Sequence, residues 1–435
     1  MRVLLTGASG FIGRQLHRRL CDAGHHVLFT GGSPAPDGIR GGEWIPLRFH
    51  AASRVEDWLP VTGRIDACIN AAGVFRAGSR GGLEAVHVTG PAALFAACAA
   101  RGVRRVVQLS ALHADPRADT DFLATKGHAD SLLLRAIPEA AVVRPSLVFG
   151  AGGRSARLFL ALASLPVIPL PGAGHQRIQP VHVDDLAEAI VTLVERGPER
   201  GFSGSIEAVG PRALTLRSYL AALREGLRLR PAPEIRLPLA LVAVAARLGD
   251  MLPGGLLDTD AWKMLQQGSV AAPDRFAAVL GRPPRDAHRF LSAEDAASWR
   301  ERVIAARVCT GMRLSLAVLW IVTSLLSFGL YPRELSYALL ARTGIGPLWQ
   351  PWLLNVAAGL DLLLGIATLV LAQRWRPGLW LSQLGLMAAY TAIITWKLPE
   401  FWLHPFGPVL KNLPLAALLA ALLVLDRPRK DRWTT

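Results

Sequence analysis

The sequence TGASGFIG at residues 6–13 decides the fold of the first part of the chain. The apolar segment VLL precedes it at residues 3–5, and residues 14–20 carry apolar side chains at helical spacing. The order strand, glycine turn, helix is typical of the first βα unit of a doubly wound parallel sheet. We therefore predict a doubly wound parallel α/β sheet in the first part of the chain.

The three glycines of this turn predict a binding site for a pyrophosphate. Gly7 permits a sharp turn out of the strand, Gly10 lets the backbone approach a phosphate, and Gly13 lets the helix pack closely on the sheet. The N-terminus of the helix adds N–H groups and a partial positive charge. The predicted cofactor-binding residues of the turn are Gly7, Ser9, Gly10, Phe11, Ile12, Gly13 and Arg14.

Later apolar segments predict further strands of the same sheet. Residues 27–30, 66–74, 104–111 and 142–150 are apolar and end in small or hydroxyl-bearing residues. The carboxyl ends of parallel strands form the edge where ligands bind in open α/β sheets. At that edge we predict additional cofactor contacts from Asn70, Ala71, Ala72, Gly73 and Pro145.

The end of the second predicted strand leaves the choice between NAD and NADP open. An acid at this position often binds the adenosine ribose of NAD. Here the residues are Gly31, Gly32 and Ser33, and the first acid is Asp37. Arg14 in the first helical turn could reach a 2′-phosphate, which favours NADP; a solvated Arg14 is the alternative.

The motifs of the first 290 residues follow an order that resembles the extended or atypical short-chain dehydrogenase/reductases. They are TGASGFIG, NAAG (70–73), LSA (109–111), Lys126, RPSLVFGAGG (144–153) and VHVDDLAEAI (181–190). Residues 274–291 resemble the closing segment of atypical reductases related to the 39 kDa subunit of respiratory complex I. The resemblance implies a Rossmann sheet that carries NAD(P), with a lobe over the substrate pocket.

One residue departs from the pattern of this family. The family carries a Tyr four residues before the Lys as general acid or base, and the Lys also holds the nicotinamide ribose. Here that position is Phe122, which has no proton to give. Loss of a positioned general acid costs on the order of 10²–10⁴ in rate. The family's Ser/Thr falls on Ser110 or, one place later, on Ala111.

Two interpretations follow from Phe122. In the first, the protein is an oxidoreductase in which another group or water supplies the proton. In the second, Lys126 only binds the ribose, and the protein is a nucleotide-binding scaffold or redox sensor. The candidate catalytic residues are Lys126 and Ser110, with His113 and His128 as proton donors that titrate near neutral pH.

Two further stretches before residue 300 predict structure rather than catalysis. Asp184 or Asp185 precedes a segment of helical period and is expected to cap that helix. Residues 238–248, PLALVAVAARL, are too short to span a bilayer. They predict either a helix of the lobe or a segment that lies on the membrane surface.

The composition of the chain indicates a membrane protein. Of the 435 residues 51% are hydrophobic, and the mean hydropathy is +0.32. The apolar excess lies mostly after residue 312. Four runs there are long enough to cross a bilayer and carry Trp or Tyr near their ends. They are residues 314–331, 352–372, 378–396 and about 408–425.

The net charge of +15 is explained by the flanks of these runs. Ten Lys and Arg residues flank one side and four flank the other, which predicts that both termini are cytoplasmic in a bacterial-type inner membrane. The chain starts with a strand instead of a signal peptide, in agreement with that orientation. We do not predict nucleic-acid binding, because the sequence carries no recognition motif. The cysteine spacing indicates no metal site.

These observations predict four parts of the chain. Residues 1–298 form the NAD(P)-binding domain, with its lobe from about residue 151, and residues 299–312 form a basic linker. Residues 313–426 form the membrane domain, and residues 427–435 form a basic tail. The segment FGPVLKNLPL at 406–415 resembles the DoxX-like four-helix membrane family.

Polar residues inside the apolar runs predict a pocket for a lipid-like or quinone-like head group, because such residues are costly in a bilayer. Hydrogen bonding between helices is the alternative. The expected partners are a small hydrophobic or lipid-like substrate and the bilayer, with a membrane-protein partner or a second copy left open. The pocket residues are Asn355, Asp361, Gln383, Lys411 and Asn412.

Overall fold

The computed structural model describes residues 1–31, 41–47, 51–75, 82–197, 202–251 and 257–426. Ser33, Asp37 and the basic tail fall outside these ranges. The chain divides into two compact units, one ending at Ala297 and the other beginning at Ser298.

The first unit is built on a parallel sheet of seven strands in the order β3-β2-β1-β4-β5-β6-β11. The strand order reverses between β1 and β4, which is where such sheets bind ligands. The predicted doubly wound sheet is confirmed. The strands are β1 (Arg2–Thr6), β2 (His26–Thr30), β3 (Glu43–Ile45), β4 (Ala67–Asn70), β5 (Arg105–Leu109), β6 (Ala141–Pro145), β7 (Val148–Phe149), β8 (Ile168–Pro171), β9 (Arg177–Ile178), β10 (Val181–His182), β11 (Gly204–Ala208), β12 (Leu214–Thr215) and β13 (Glu234–Leu237).

Helices cover both faces of the sheet. The strand side chains alternate between the faces, so Leu5 packs against the helices at residues 11–22 and 183–196, whereas Leu4 packs against those at residues 55–62 and 90–100. The helices of the first unit are α1 (Phe11–Asp22), α2 (Val55–Thr62), α3 (Gly82–Glu84), α4 (Gly90–Ala100), α5 (Asp121–Ala136), α6 (Arg154–Ala163), α7 (Val183–Arg196), α8 (Leu216–Gly226), α9 (Leu239–Met251), α10 (Thr259–Gln267) and α11 (Asp274–Leu280).

The structure corrects two details of the sequence analysis. The segment 142–150 is not one strand: the chain leaves the sheet after Pro145, and β7 pairs with β10 in a separate two-stranded sheet. The cap of α7 is His182, whose ring accepts a hydrogen bond from the Asp184 backbone N–H. Asp184 and Asp185 lie in the first helical turn, where their charges favour the helix dipole.

The second unit is helical. Its helices are α12 (Ala296–Leu325), α13 (Arg333–Arg342), α14 (Gln350–Val370), α15 (Arg376–Lys397) and α16 (Asn412–Leu425). The α12 helix continues as a wider turn to Leu330. Close packing joins α12 to α14: a Cβ on Gly365 would lie 2.7 Å from the Ile321 side chain, and Ser324 donates a hydrogen bond to the Ala358 carbonyl.

Four described helices are long and apolar enough to cross a membrane by length and composition: Gly82–Ala100, Ala296–Leu330, Gln350–Val370 and Gln373–Lys397. The first of these belongs to the core of the Rossmann unit, where Leu94 and Phe95 are buried. The fourth run predicted from the sequence is shorter than expected. Because Pro414 fits only near the start of a helix, α16 begins at Asn412 and has 14 residues.

Candidate nucleotide site and its reaction centre

The glycine turn between β1 and α1 leaves no room for side chains at two positions. Gly7 has a φ of +71°, and a Cβ there would lie 2.5 Å from the Ala71 carbonyl oxygen. A Cβ on Gly13 would lie 2.0 Å from the Gly7 carbonyl oxygen. The turn therefore requires glycine for close packing of β1, α1 and the end of β4, as the sequence pattern predicted.

The N-terminus of α1 offers backbone donors at this turn. The helix begins at Phe11, after Gly10, and none of the described side chains caps it. The Arg14 N–H is the first to bond within the helix, to the Gly10 carbonyl. The N–H groups of Phe11, Ile12 and Gly13 precede it. With an uncapped end and a first turn without acids, this geometry fits a diphosphate.

Polar side chains fix the carboxyl ends of three strands beside the turn. Thr6 on β1 donates to Asn70 on β4 at 2.5 Å, and Asn70 donates to Gln108 on β5 at 2.7 Å. All three are buried. This chain of hydrogen bonds holds the backbone of Ala71 and Ala72 next to Gly7.

Lys126 on α5 reaches the same edge from the other side. Its side chain is buried, and Nζ donates to the carbonyl oxygens of Ala72 at 3.2 Å and Leu109 at 3.0 Å. Burial lowers the pKa of Lys126 to about 8, against the opposing effect of Asp130. Lys126 therefore lies at the ends of β4 and β5, and a Cβ on Gly73 would lie 3.2 Å from Nζ.

Phe122 lies one turn before Lys126 and belongs to an aromatic cluster. Its ring centroid is 4.8 Å from that of Phe75 and 5.6 Å from that of His87. The position that would carry the family's Tyr is thus apolar and in contact with other aromatic rings.

His87 is a residue of this centre that the sequence analysis missed. Its Nε2 accepts the Val74 N–H at 3.1 Å, and its Nδ1 is 2.9 Å from the Thr125 hydroxyl. Burial, together with the charge of Lys126, lowers the pKa of His87 to about 3. The ring is therefore neutral, with both nitrogens engaged. It lies in an apolar run, and nothing in the local sequence marks it.

The Ser110 hydroxyl forms a hydrogen bond with a buried carboxylate. Its hydroxyl donates to Asp130 Oδ2 at 2.8 Å, and Arg144 contacts the same oxygen at 2.9 Å. Burial raises the pKa of Asp130, while the bonds from Ser110 and Arg144 oppose that shift. Ala111, the alternative position for the family's hydroxyl, is buried after it.

The other predicted residues of the first unit differ in exposure and in contacts. His113 and His128 are exposed, and His113 has a φ of +63°. Arg14 Nε donates to the Ser9 carbonyl at 3.1 Å, so its guanidinium stays beside the glycine turn. The Pro145 carbonyl accepts the Leu112 N–H at the end of β6.

The end of β2 is covered by an aromatic ring. A Cβ on Gly31 would lie 2.4 Å from Cη2 of Trp44 on β3. Trp44 also contacts Phe29, with 5.3 Å between ring centroids. The rings pack where the adenosine end of a dinucleotide is expected.

The polar residues of the second unit are not gathered into one enclosed pocket. Asp361 and Gln383 are buried, whereas Asn355 and Lys411 are exposed on the unit. Gln383 donates to the Thr368 hydroxyl at 2.7 Å, and Asn412 donates to the Thr391 hydroxyl at 2.8 Å. These two bonds join neighbouring helices, as the alternative interpretation expects.

Fold and site together define a Rossmann-type protein with a helical membrane unit. Residues 3–204 match the NAD dependent epimerase/dehydratase family, and residues 317–420 match the DoxX-like family. The N-terminal segment is therefore similar to the first family, and the C-terminal segment is similar to the second.

Two relatives resemble the first unit. NADH dehydrogenase (ubiquinone) 1 alpha subcomplex subunit 9, mitochondrial, from Arabidopsis thaliana is 28% identical over 256 residues, 57% of this chain and 62% of the relative. Ceramide reductase from Caulobacter vibrioides is 29% identical over 200 residues, 44% and 60% of the two chains. The chain thus spans less than two thirds of either relative.

Solved structures share the fold. The UDP-glucuronic acid 4-epimerase of Bacillus cereus, in complex with UDP-glucuronic acid and NAD, is 16% identical with a TM-score of 0.50, covering 69% of this chain and 99% of its own. MoeE5 in complex with UDP-glucose and NAD is 20% identical with a TM-score of 0.51, covering 70% and 100%. At these identities the likeness concerns the fold alone.

Proposed function

We propose that this protein is a membrane-anchored NAD(P)-dependent oxidoreductase that acts on a hydrophobic carbonyl or quinone-like substrate from the membrane. One observation carries the proposal. A glycine turn with the steric fit for a diphosphate and a DoxX-like membrane unit occur in the same chain. Such a chain keeps a soluble cofactor site close to substrates that dissolve in the bilayer.

The residues of the first unit fit the cofactor. The backbone donors of Phe11, Ile12 and Gly13 would hold the diphosphate. Protonated Lys126 has three N–H donors, and the Ala72 and Leu109 carbonyls use two of them. The third is available for a ribose hydroxyl. The bound nicotinamide would supply a hydride. Arg14 beside the turn favours NADP over NAD.

The side chains around Lys126 favour a substrate that needs no strong acid. Phe122 has no acidic proton, the Ser110 hydroxyl donates its hydrogen bond to Asp130, and His87 is neutral with both nitrogens engaged. A quinone-like acceptor forms weakly basic oxygens on reduction, so water can protonate them. The Phe75 and Phe122 rings supply an apolar wall. The name of the ceramide reductase relative supports a lipid substrate.

The test uses the full-length protein in lipid nanodiscs with NADH or NADPH. We expect oxidation of the cofactor with a soluble quinone analogue or a long-chain lipid ketone, and faster turnover with NADPH. The variant Gly13→Ala, which closes the glycine turn, should strongly slow the reaction at limiting cofactor concentration. Absence of oxidation across a panel of quinones and lipid carbonyls would refute the proposal.

A second candidate function is a nucleotide-binding scaffold or redox sensor. It is favoured because Phe122 has no acidic proton and because the Ser110 hydroxyl is hydrogen-bonded to Asp130. Phe122→Tyr separates the two. For an enzyme, the new phenol should raise turnover of the ketone on the order of 10²-fold and leave the quinone rate nearly unchanged. For a scaffold, neither rate appears. Phe75→Tyr adds the same hydroxyl to the adjacent ring and serves as the control.

We also propose the topology and boundaries given by the sequence: a domain change near residue 298 and both termini in the cytoplasm of a bacterial-type inner membrane. The basic residues beside the apolar runs support it. Single cysteines at Arg374 and Lys397 test it in sealed inverted vesicles. An impermeant maleimide should label position 374 and leave position 397 unlabelled; the reverse pattern would invert the orientation.

Whether a membrane-protein partner or a second copy binds is decided by the mass of the complex in nanodiscs.

A further inference from the structure

Helix α9 of the first unit has one packed face and one exposed apolar face. Val242 and Ala246 are buried and cluster with Trp262 of α10. On the opposite side, Leu241, Val244 and Leu248 are 55%, 50% and 58% exposed. These three residues, called here the α9 face, recur at helical spacing and form a stripe along the helix. A stripe of large apolar side chains marks an interaction surface more often than chance exposure.

Neighbouring residues enlarge this apolar surface. Leu239 at the start of α9 is 45% exposed, and Ile235 on β13 is 52% exposed. The β13 strand pairs with β8, next to which Val167 is 44% exposed. Exposed apolar side chains therefore also occur on and next to the β8–β13 pair, which precedes α9 in the chain.

Three arginines lie in the segment from residue 230 to the end of α9. Arg230, Arg236 and Arg247 are exposed. The acids of the same segment are engaged: Glu234 pairs with Arg217 at 2.8 Å, and Asp250 accepts a hydrogen bond from the Thr259 backbone N–H at 3.0 Å. Apolar side chains bordered by arginines complement a bilayer that contains anionic lipids.

We infer that α9 lies on the surface of the lipid bilayer, with the α9 face among the head groups and upper acyl chains and the arginines against anionic phosphates. The length of chain supports this occupant, because fewer than 50 residues separate the end of α9 from Ser298, where the membrane unit begins. The helix is too short to span but long enough to lie flat. This inference does not depend on the proposed reaction.

The test places one nitroxide on the full-length protein in nanodiscs that hold a single copy and contain phosphatidylglycerol. Labels replace Val244 or Leu248 of the α9 face, and Glu139, exposed before β6, is the control site. Cys21 is first changed to Ser, because Cys68, Cys98 and Cys309 are buried. Access to oxygen, which partitions into lipid, is compared with access to a water-soluble nickel complex.

We expect positions 244 and 248 to lose nickel access by about fivefold relative to position 139 and to gain oxygen access, as for a helix at the interface. Arg236→Gln with Arg247→Gln should reduce the difference, and so should nanodiscs of phosphatidylcholine alone. Equal nickel access at positions 244 and 139 would overturn the inference. Protection from both reagents would also overturn it, because that pattern means protein contact.

Discussion

The glycine turn and the Lys126 centre lie at the ends of neighbouring strands, but one is formed by backbone atoms and the other by side chains. The turn is backbone: its shape is set by carbonyls that approach Gly7 and Gly13 to within contact distance. The Lys126 centre is made of side chains, and the protein itself engages most of their donors. The first site therefore tolerates little change, whereas the second can change its chemistry without altering the fold.

The largest expected effect comes from closing the turn with Gly13→Ala. The new methyl group would lie 2.0 Å from the Gly7 carbonyl oxygen, so α1 must move away from β1. We expect a loss of about 3 kcal/mol, or ~100-fold, in nucleotide affinity, with a similar loss of stability. Calorimetric titration of NADPH and thermal unfolding measure the two effects separately.

Gly24→Ala is the control for this change. Gly24 follows the other end of α1 with a φ of +77°, and a Cβ there meets nothing within 4 Å. The strained backbone costs about 1 kcal/mol of stability. Nucleotide affinity should stay at the wild-type value. If both variants weakened binding equally, the turn would have no special role in holding a phosphate.

The backbone geometry of the glycine turn could be predicted from the sequence, because glycine has few roles and its spacing indicates the local geometry. The turn, the small residues after β4 and the position of Lys126 all lie at the predicted sheet edge. The doubly wound order follows from the same logic, since parallel strands need helical crossovers.

The side-chain half could not be predicted in the same way. His87 lies in an apolar run and becomes a neighbour of Phe122 only through tertiary packing. His182, not a carboxylate, caps α7, because the choice of cap depends on the backbone before the helix. Of the polar residues in the apolar runs, Asp361 is buried, whereas Asn355 and Lys411 are exposed. Burial of a polar residue depends on rotation of its helix, which composition does not fix.

An intermediate effect is expected from Lys126→Met, which tests whether the Lys126 amine contributes to binding of the nucleotide held by the glycine turn. Protonated Lys126 has one donor beyond its two carbonyl bonds, and the neutral amine has none. Wild-type affinity for NADPH should fall as the pH rises through the pKa of about 8. The variant should bind roughly tenfold more weakly at pH 7, with no change across that range.

Stability without nucleotide gives an independent readout of the same group. Folding lowers the Lys126 pKa from 10.5 to about 8, so the unfolded chain binds more protons between these values. The free energy of unfolding should rise with pH across that window by about 3 kcal/mol, and Lys126→Met should remove the rise. A stability curve with the same slope in both proteins would place the titrating group elsewhere.

The smallest effect is expected from Ser110→Ala, which separates a structural hydroxyl from a catalytic one. Because Ser110 donates to Asp130, its loss should cost about 1.5 kcal/mol of stability and leave any measured turnover nearly unchanged. Ser131→Ala removes a hydroxyl that bonds only a helical carbonyl in the described contacts, and it should change neither quantity. A Ser110→Ala protein of normal stability that lost turnover a hundredfold would contradict this assignment. The reaction centre would then retain a proton donor, and the contrast between the two halves of the site would disappear.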